Sequence, residues 1–431
     1  MREFMAVHGL NALLGSLDRP GGVFGVPADP VGKTWPVPFQ DATSRRGAGM
    51  PRVDGTRPEP YGLIPGLYPE ANGDKGAGYD VEVLMVLRSN PFYAMPGLGA
   101  FLDKAKDIPF VVSFGSFIDE TSMAADLILP EHHPLERLQA NISSQGTPYR
   151  TFRVSVPVIK PLARTKEAGD AIIETARLLG SPVAESFPWA NMEEALQATM
   201  TGLLASASGG FADPSKPVHP WDAKSVTSLK KVSSSGELWA GLKKGWCWVD
   251  PAVLAGRGVP GFGTPSSKFE FYSGALRKAR PASKDEACLP GYEPLSTSQR
   301  EALSLIVYDD PRIQPGDLHT SPYMTKIIDD TVLLGDDLIV EIHPETAAKE
   351  GVAEGNRVEI RSSTGAIEAR LHLFEGVMPG IVLVPAGLGH RACGRYLEGR
   401  GANPGEVVEI KRDPVSGLPV SKETGVRLTK V

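Results

Sequence analysis

Two polar loops in the first third of the chain contain residues suited to ligand binding. The loop at 88–96 carries Asn90, whose amide can both donate and accept hydrogen bonds, and Pro91 and Pro96 stiffen the backbone around it. Such a loop is suited to recognising the edge of a nucleotide base. An Asn-Pro pair is also a common start of a turn, so a purely structural role stays open.

The second loop, residues 116–121, ends with Asp119, Glu120 and Thr121. Asp119 is placed to cap a following helix, and Glu120 would then lie favourably in its first turn. The functional interpretation is that one of these three side chains binds a ribose or a guanine base at the edge of a sheet. Both interpretations fit the sequence.

Further candidates lie in the last quarter of the chain, beside glycine turns. Glycine lets backbone groups approach a flat polar ring closely, and His and Asn side chains can form hydrogen bonds with it. Ordinary loop glycines with exposed polar neighbours are the alternative. These candidates are His319, Thr320, Ser321, Gly387, Gly389, His390 and Asn403.

Metal-binding and nucleophile patterns are weak throughout. The segment at 131–133, Glu-His-His, does not have the spacing that places ligands on one helix face, so we predict no metal ligand there. Cys247, Cys288 and Cys393 are far apart without a CxxC pair, which favours isolated structural thiols. No nucleophile or phosphate-loop motif is present, and the catalytic residues stay unknown.

Composition excludes some classes of protein. The 431 residues carry a net charge of −6, and 41% of them are hydrophobic, as in ordinary globular proteins. A general nucleic-acid role needs a basic face, so we expect no nucleic-acid partner. The first residues do not form a secretory signal, and no window approaches the ~20 apolar residues that span a bilayer.

The two loops are predicted to follow strands of one parallel sheet. Strands are predicted at 81–87, 109–114 and 127–129, with helices at 97–106 and 118–125 between them. This order implies right-handed crossovers, and ligands bind such sheets at the carboxyl ends of the strands.

The C-terminal region changes to a β pattern. Strands are predicted at 338–342, 358–361, 367–373 and 381–384, with one short helix at 344–350. Many short strands joined by tight turns indicate a closed barrel.

The remaining segments are less regular. Phe4, Val7, Leu10, Leu13 and Leu14 repeat at helical spacing, residues 26–78 suggest an ordered excursion, and Lys268–Tyr272 alternates as an exposed strand would. The predicted domains are 1–78, an excursion-containing end of a larger domain; 79–185, an α/β parallel-sheet domain; 186–300, an irregular return segment; and 301–431, a β-barrel.

Taken in order, several segments resemble the molybdopterin oxidoreductases related to dimethyl sulfoxide reductase. They are NALLGSLDRPGG from Asn11, SNPFYAMP from Ser89, FGSFIDETSMAADLILP from Phe114, TPSSKFEFYS from Thr264 and HPETAAKEGVAEGNRVEIRSSTG from His343. The fourth departs from the family pattern, because Ser267 stands where a glycine is usual.

The resemblance implies a Rossmann-like parallel-sheet domain followed by a double-psi β-barrel. It also implies a bis(molybdopterin guanine dinucleotide) cofactor carrying molybdenum or tungsten. The Asn90 loop and the Glu120–Thr121 loop would face a guanosine. The segments His319–Ser321 and Gly387–His390, together with Asn403, would lie along a pterin.

Two departures from the family matter for function. The cysteine quartet of cluster-bearing members is absent, so we expect no iron–sulfur cluster in this chain. The chain begins about where the family's third domain ends, so we expect an N-terminal portion or separate subunit to carry the metal ligand. The other expected partners are an iron–sulfur electron-transfer subunit and a membrane quinone-interacting subunit.

The segment LPEHHPLER, from Leu129, resembles the polysulfide and thiosulfate reductase or menaquinone reductase branch. The expected function is the C-terminal part of an oxidoreductase subunit that transfers electrons in an anaerobic respiratory complex and is not active alone. The alternative is a non-catalytic scaffold subunit of a membrane-bound quinone reductase complex. The resemblance places it on the periplasmic side of the inner membrane, with the cytoplasm as the alternative.

Overall fold

The structure is a computed structural model, and it separates into two compact units, each built from two stretches of the chain. One comprises Met1–Asp41 and His132–Glu293, and the other Ala42–Glu131 and Pro294–Val431. The described residues are 2–19, 21–23, 42, 81–142, 149–206, 209–212, 229–250, 262, 264–279, 284–292, 303–313, 322–412, 419–420 and 424–431. The excursion predicted at 26–78, apart from residue 42, lies outside them, and the domain boundaries given above stay predictions.

The helices are α1 (Arg2–Leu13), α2 (Pro91–Ala94), α3 (Leu98–Ala105), α4 (Glu120–Ala124), α5 (Ala168–Leu179), α6 (Met192–Met200), α7 (Ser235–Lys243), α8 (Gly274–Ala279), α9 (Pro322–Ile327) and α10 (Pro344–Glu350). The strands are β1 (Val83–Val86), β2 (Phe110–Ser113), β3 (Leu127–Ile128), β4 (Gln139–Ile142), β5 (Arg150–Ser155), β6 (Gly210–Ala212), β7 (Cys247–Asp250), β8 (Leu303–Tyr308), β9 (Leu333–Leu334), β10 (Asp337–Ile342), β11 (Arg357–Arg361), β12 (Ala366–Leu373), β13 (Ile381–Pro385), β14 (Lys411–Arg412), β15 (Pro419–Val420) and β16 (Thr424–Lys430).

An antiparallel sheet with the strand order β4-β5-β7-β6 organises the first unit. Phe152 and Trp248, from the two central strands, pack with Met200 of α6 and Leu238 of α7 in one buried cluster. Asp250, at the end of β7, is fully buried and forms an ion pair with Arg150 across the sheet. This pairing compensates a charge that would otherwise be costly to remove from water.

The second unit begins with a three-stranded sheet in which β1, β2 and β3 all run parallel. Leu84 and Val86 of β1 point to one face, where they pack with Phe92 of α2 and Phe101 of α3. The predicted strands and helices are found here, each slightly shorter than predicted. The helix predicted from residue 118 begins at Glu120, because the preceding Asp119 side chain accepts a hydrogen bond from the Ser122 N–H and caps it.

A closed six-stranded β-barrel forms the rest of this unit, as the sequence predicts. Its strands follow one another in the order β8-β13-β10-β12-β11-β16, and β16 pairs back to β8. The pairs β10–β12 and β8–β13 are parallel, and the other neighbours are antiparallel. Alternate residues Leu338, Val340 and Ile342 of β10 are fully buried in the interior, as the two-residue period of a strand requires.

The aromatic segment Lys268–Tyr272 is not a strand, so the prediction for it is wrong. Phe269 and Phe271 pack edge to face against each other, with ring centroids 5.0 Å apart, instead of lining one face of a sheet. Ser267 has a φ of 54°, in the left-handed region that favours glycine. Its conformation explains why a glycine at this position would be less strained.

Helix α1 is present as its periodicity predicts, but its apolar stripe is not covered. Phe4 is 68% exposed and Leu13 is 72% exposed, whereas Gly9 is buried. A Cβ on Gly9 would lie 3.2 Å from the ring of Phe271, so this small residue permits the close contact. None of the described helices is long and apolar enough to cross a lipid bilayer.

Replacing Leu338 with Ala should destabilise the barrel by about 2–5 kcal/mol, because it leaves a cavity among fully buried side chains. The matched variant Leu334→Ala, at a site 43% exposed in neighbouring β9, should cost about 1 kcal/mol or less. Native-state hydrogen exchange of β10 and β12 peptides measures both. Equal losses would contradict the described interior of the barrel.

Candidate functional site

The side chain of Glu120 connects the edge of the parallel sheet to a loop of the barrel. One of its oxygens, Oε1, accepts hydrogen bonds from the backbone N–H groups of Arg391, at 2.7 Å, and Ala392, at 3.3 Å. The other, Oε2, accepts a hydrogen bond from Asn90 Nδ2 at 2.7 Å. The carboxylate therefore binds both the loop after β1 and the loop after β13.

Asn90 is completely buried, and both ends of its amide are engaged. Its Nδ2 donates to Glu120, while its Oδ1 accepts from the Thr121 N–H at 3.1 Å and from the Thr121 hydroxyl at 2.7 Å. Pro91 follows as the first residue of α2 and is buried. The amide thus holds the loops after β1 and β2 together.

His390 stacks on the ring of Tyr93, with centroids 3.8 Å apart and planes 13° from parallel. Its Nδ1 lies 3.1 Å from Glu120 Oε1 and 3.7 Å from the Cys393 sulfur. The Tyr93 hydroxyl donates to the carbonyl oxygen of Leu388 at 2.8 Å. These contacts fix the imidazole on three sides.

Asn403 reinforces the same region from the next turn of the chain. Its Nδ2 donates to the carbonyl oxygen of Tyr93 at 2.8 Å, and its Oδ1 accepts from the Gly405 N–H at 2.8 Å. Gly389 has a φ of 80°, and a Cβ there would lie 2.2 Å from the backbone nitrogen of Asn403. Glycine is therefore required at 389 by the approach of the 402–403 backbone.

We call this cluster the polar junction; its members are Asn90, Tyr93, Glu120, Thr121, His390, Cys393 and Asn403. All of them belong to the second structural unit. Five of the seven are among the residues predicted from the sequence to bind the cofactor, whereas Tyr93 and Cys393 were not among them. The spacing of His390 and Cys393, three residues apart, was an available signal for the cysteine, whereas nothing in the sequence singled out the tyrosine.

Burial and hydrogen bonding have opposite effects on the Glu120 carboxyl. Burial alone would raise its pKa, but the hydrogen bonds from His390 and Asn90, together with the charge of His390, lower the pKa to about 2. Burial, followed by the charge of Glu120, raises the pKa of the Cys393 thiol to about 12. The same two causes raise the pKa of Tyr93 far above its ordinary value. At neutral pH the junction therefore holds one carboxylate beside a protonated thiol.

The other predicted site residues have different surroundings. Asp119 caps α4, and Gly387, two residues after the end of β13, has a φ of 94°. His319, Thr320 and Ser321 lie outside the described residues. Within 131–133, Glu131 pairs with Arg88, while His132 Nδ1 lies 2.6 Å from the Thr165 hydroxyl.

The hydrogen bonds of the junction decide whether these side chains have free polar atoms for a pterin or a nucleotide. Asn90, Thr121 and Asn403 are buried, and their polar atoms already bind protein groups. A buried amide cannot exchange such partners for a ligand without leaving them unsatisfied. These side chains therefore do not fit as direct contacts to a cofactor, although they fit as supports for the loops around one.

Comparison with known proteins is consistent with the barrel and with the order of the segments. Residues 314–425, which span most of the barrel, match the family described as "Molydopterin dinucleotide binding domain". Over 428 residues, 99% of the chain, it is 28% identical to the menaquinone reductase, molybdopterin-binding-like subunit of Nitratidesulfovibrio vulgaris. The matched domain and these relatives support the dimethyl sulfoxide reductase superfamily of molybdopterin oxidoreductases, C-terminal portion. The family resemblance seen in the sequence is thereby confirmed.

Other members of this superfamily are similar over comparable stretches. The arsenate respiratory reductase molybdopterin-containing subunit of Shewanella sp. (strain ANA-3) is 25% identical over 96% of the chain. The solved structure of acetylene hydratase from Pelobacter acetylenicus has a TM-score of 0.56 at 21% identity, covering 82% of this chain and 45% of that one. It supports the fold alone.

The chain spans about half the length of the curated relatives it matches, 50% of the first and 53% of the second. Both relatives are named as reductase subunits. These names support an oxidoreductase role without specifying the substrate or the complex. The matched family supports a molybdopterin cofactor for this superfamily member.

Replacing Glu120 with Gln should destabilise the polar junction by about 3 kcal/mol, because an amide nitrogen would face backbone donors in a buried position. Hydrogen exchange of peptides covering 117–124 and 388–393 measures the loss. Glu375→Gln, on an exposed turn, serves as control and should change stability by no more than about 0.5 kcal/mol. An unchanged E120Q junction would show that the carboxylate is dispensable.

The pH dependence follows from the lowered pKa of Glu120. A depressed carboxyl pKa contributes stability that is present above the unfolded value, 4.5, and is lost as the pH falls towards about 2. The stability difference between wild type and E120Q should therefore shrink over that window. Chemical denaturation at several pH values measures it, and a constant difference would contradict the assigned ionisation.

Proposed function

We propose that this chain is the C-terminal part of a molybdopterin guanine dinucleotide-dependent oxidoreductase subunit that transfers electrons in an anaerobic respiratory complex. The observation that carries the proposal is the closed barrel, most of which coincides with the dinucleotide-binding family match. The parallel order of β1, β2 and β3 supports a Rossmann-like sheet. The two parallel strand pairs in the barrel support the double-psi form.

In this proposal the polar junction supports the cofactor site without contacting the cofactor. Glu120 and Asn90 hold the strand-end loops, while Tyr93 and Asn403 hold the turns after β13. The bis(molybdopterin guanine dinucleotide) cofactor, carrying molybdenum or tungsten, would supply the redox chemistry, and the protein would orient it. These side chains do not fit as direct contacts to the cofactor, so no reaction step is assigned to them.

The proposed assembly has further parts. An N-terminal portion or separate subunit would carry the metal ligand, an iron–sulfur subunit would exchange electrons, and a membrane subunit would interact with quinone. The similarity to a menaquinone reductase subunit supports this arrangement. We propose the periplasmic side of the inner membrane as its location.

A second function is favoured by one observation. The junction side chains are satisfied by protein groups, and the relative that matches 99% of the chain is named molybdopterin-binding-like. A scaffold subunit that keeps the fold without the metal would have such a closed polar cluster. The two functions differ in whether the assembled protein contains pterin and metal.

Co-expression with a polypeptide that supplies the rest of the relatives' length, sought in the DNA upstream of this chain, distinguishes the two. We expect the purified assembly to contain stoichiometric molybdenum or tungsten, measured by mass spectrometry, and a pterin, measured by fluorescence after oxidation. The 431-residue chain alone should show no reductase activity with a reduced dye. A well-folded assembly free of both pterin and metal would overturn the enzymatic function and support the scaffold.

A further inference from the structure

Three side chains with metal-binding atoms meet in the polar junction, although they come from segments about 270 residues apart in sequence. They are Glu120, at the start of α4, and His390 and Cys393, in the loop after β13. The carboxylate, imidazole and sulfur atoms all lie within 4.8 Å of one another. In the part of the chain that the structure describes, these are the His, Cys, Asp or Glu side chains that come together closely enough, three at a time, to hold a metal ion.

The distances between these atoms approach those around a tetrahedral zinc ion. Zinc bonds of about 2.0–2.1 Å to nitrogen and oxygen and about 2.3 Å to sulfur place the N and O ligands about 3.3 Å apart, and the sulfur about 3.5 Å from each. His390 Nδ1 lies 3.1 and 3.3 Å from the two Glu120 oxygens. The Cys393 sulfur lies 3.7 Å from Nδ1 and 3.9 Å from Oε2. Shifts of a few tenths of an ångström would complete the geometry.

Each of the three side chains is held in place by another group. Asn90 Nδ2 and the Arg391 N–H orient the carboxylate, and Tyr93 stacks on the imidazole. The Cys393 N–H donates to the carbonyl oxygen of Ile118 at 3.0 Å. Such supporting contacts around ligands raise metal affinity by fixing ligand orientation.

The three side chains differ in burial. His390 is almost completely buried, whereas Cys393 is only partly buried, so the cysteine lies on the less buried side of the cluster. A water molecule could take the fourth position from that side, as in zinc sites with three protein ligands. Binding would release the proton of the thiol to solvent, because the ligand is the thiolate, and it would use the imidazole tautomer whose Nδ1 lone pair is free.

We propose that Glu120, His390 and Cys393 form a binding site for a divalent transition-metal cation, with Zn²⁺ as the best match. Mixed nitrogen, sulfur and oxygen ligands are typical of zinc, whereas calcium and magnesium prefer oxygen alone. This site differs from a molybdenum site of the proposed cofactor. It does not depend on whether the subunit is catalytic or a scaffold.

The test uses the full chain, reduced and freed of metal, titrated with Co²⁺ as a spectroscopic substitute for Zn²⁺. We expect tetrahedral d–d bands and a sulfur-to-cobalt charge-transfer band that saturate together and are displaced by Zn²⁺. Cys393→Ser should abolish the charge-transfer band and weaken Zn²⁺ binding by at least about tenfold. Cys247→Ser, at another half-buried thiol, is the matched control and should retain both.

A second measurement needs no variant and so is independent of whether Cys393→Ser folds. Zn²⁺ should slow alkylation of Cys393, mapped by peptide mass spectrometry, while leaving the rate at Cys247 unchanged. Absence of the charge-transfer band in wild type, or equal alkylation rates with and without Zn²⁺, would overturn the proposal and leave a cluster of hydrogen bonds. Neither readout involves pterin, so its failure is separate from failure of the proposed function.

Discussion

A nearly buried carboxylate, that of Glu120, is the constraint around which the second unit is arranged. An ionised carboxylate removed from water must be surrounded by donors, or its burial destabilises the fold. Asn90, His390 and the backbone N–H groups at 391 and 392 supply them. Because these donors come from two loops far apart in sequence, the carboxylate forms its full set of bonds only when the sheet edge meets the barrel loop.

The loops around Glu120 are shaped by the contact between the sheet edge and the barrel loop. Gly389 is needed because the backbone at 402–403 passes too close for a side chain, and Asn403 then reaches the carbonyl oxygen of Tyr93. The barrel has its own polar link, since Asp337 on β10 pairs with Arg357 on β11 and Arg370 on β12. Rigid supports of this kind are what a binding site requires of its scaffold.

The same bonds limit what the junction side chains can do for function. Both amide atoms of Asn90 already bind protein groups, and Asn90 and Thr121 are fully buried. The similarity to molybdopterin oxidoreductases supports the fold and the proposed oxidoreductase role, whereas the hydrogen bonds assign these residues to support. Among the described residues, the junction is where carboxylate, imidazole and sulfur atoms lie close enough together for the proposed metal coordination.

Local patterns in the sequence determined the secondary structure of the sheet and the barrel. Alternation in β10 and the apolar run of β2 depend on which face of a strand is buried, and Asp119 caps the next helix through a contact three residues away. Periodicity was misleading at Lys268–Tyr272, where the aromatic rings pack on one another.

The tertiary structure alone decided how the candidate residues are used. Asn90, Glu120 and His390 have polar side chains that suit a ligand equally well in sequence. Their mutual hydrogen bonds and the arrival of Tyr93 and Cys393 depend on contacts across about 300 residues. Such contacts follow from chain topology and packing, which no local pattern of residue types encodes.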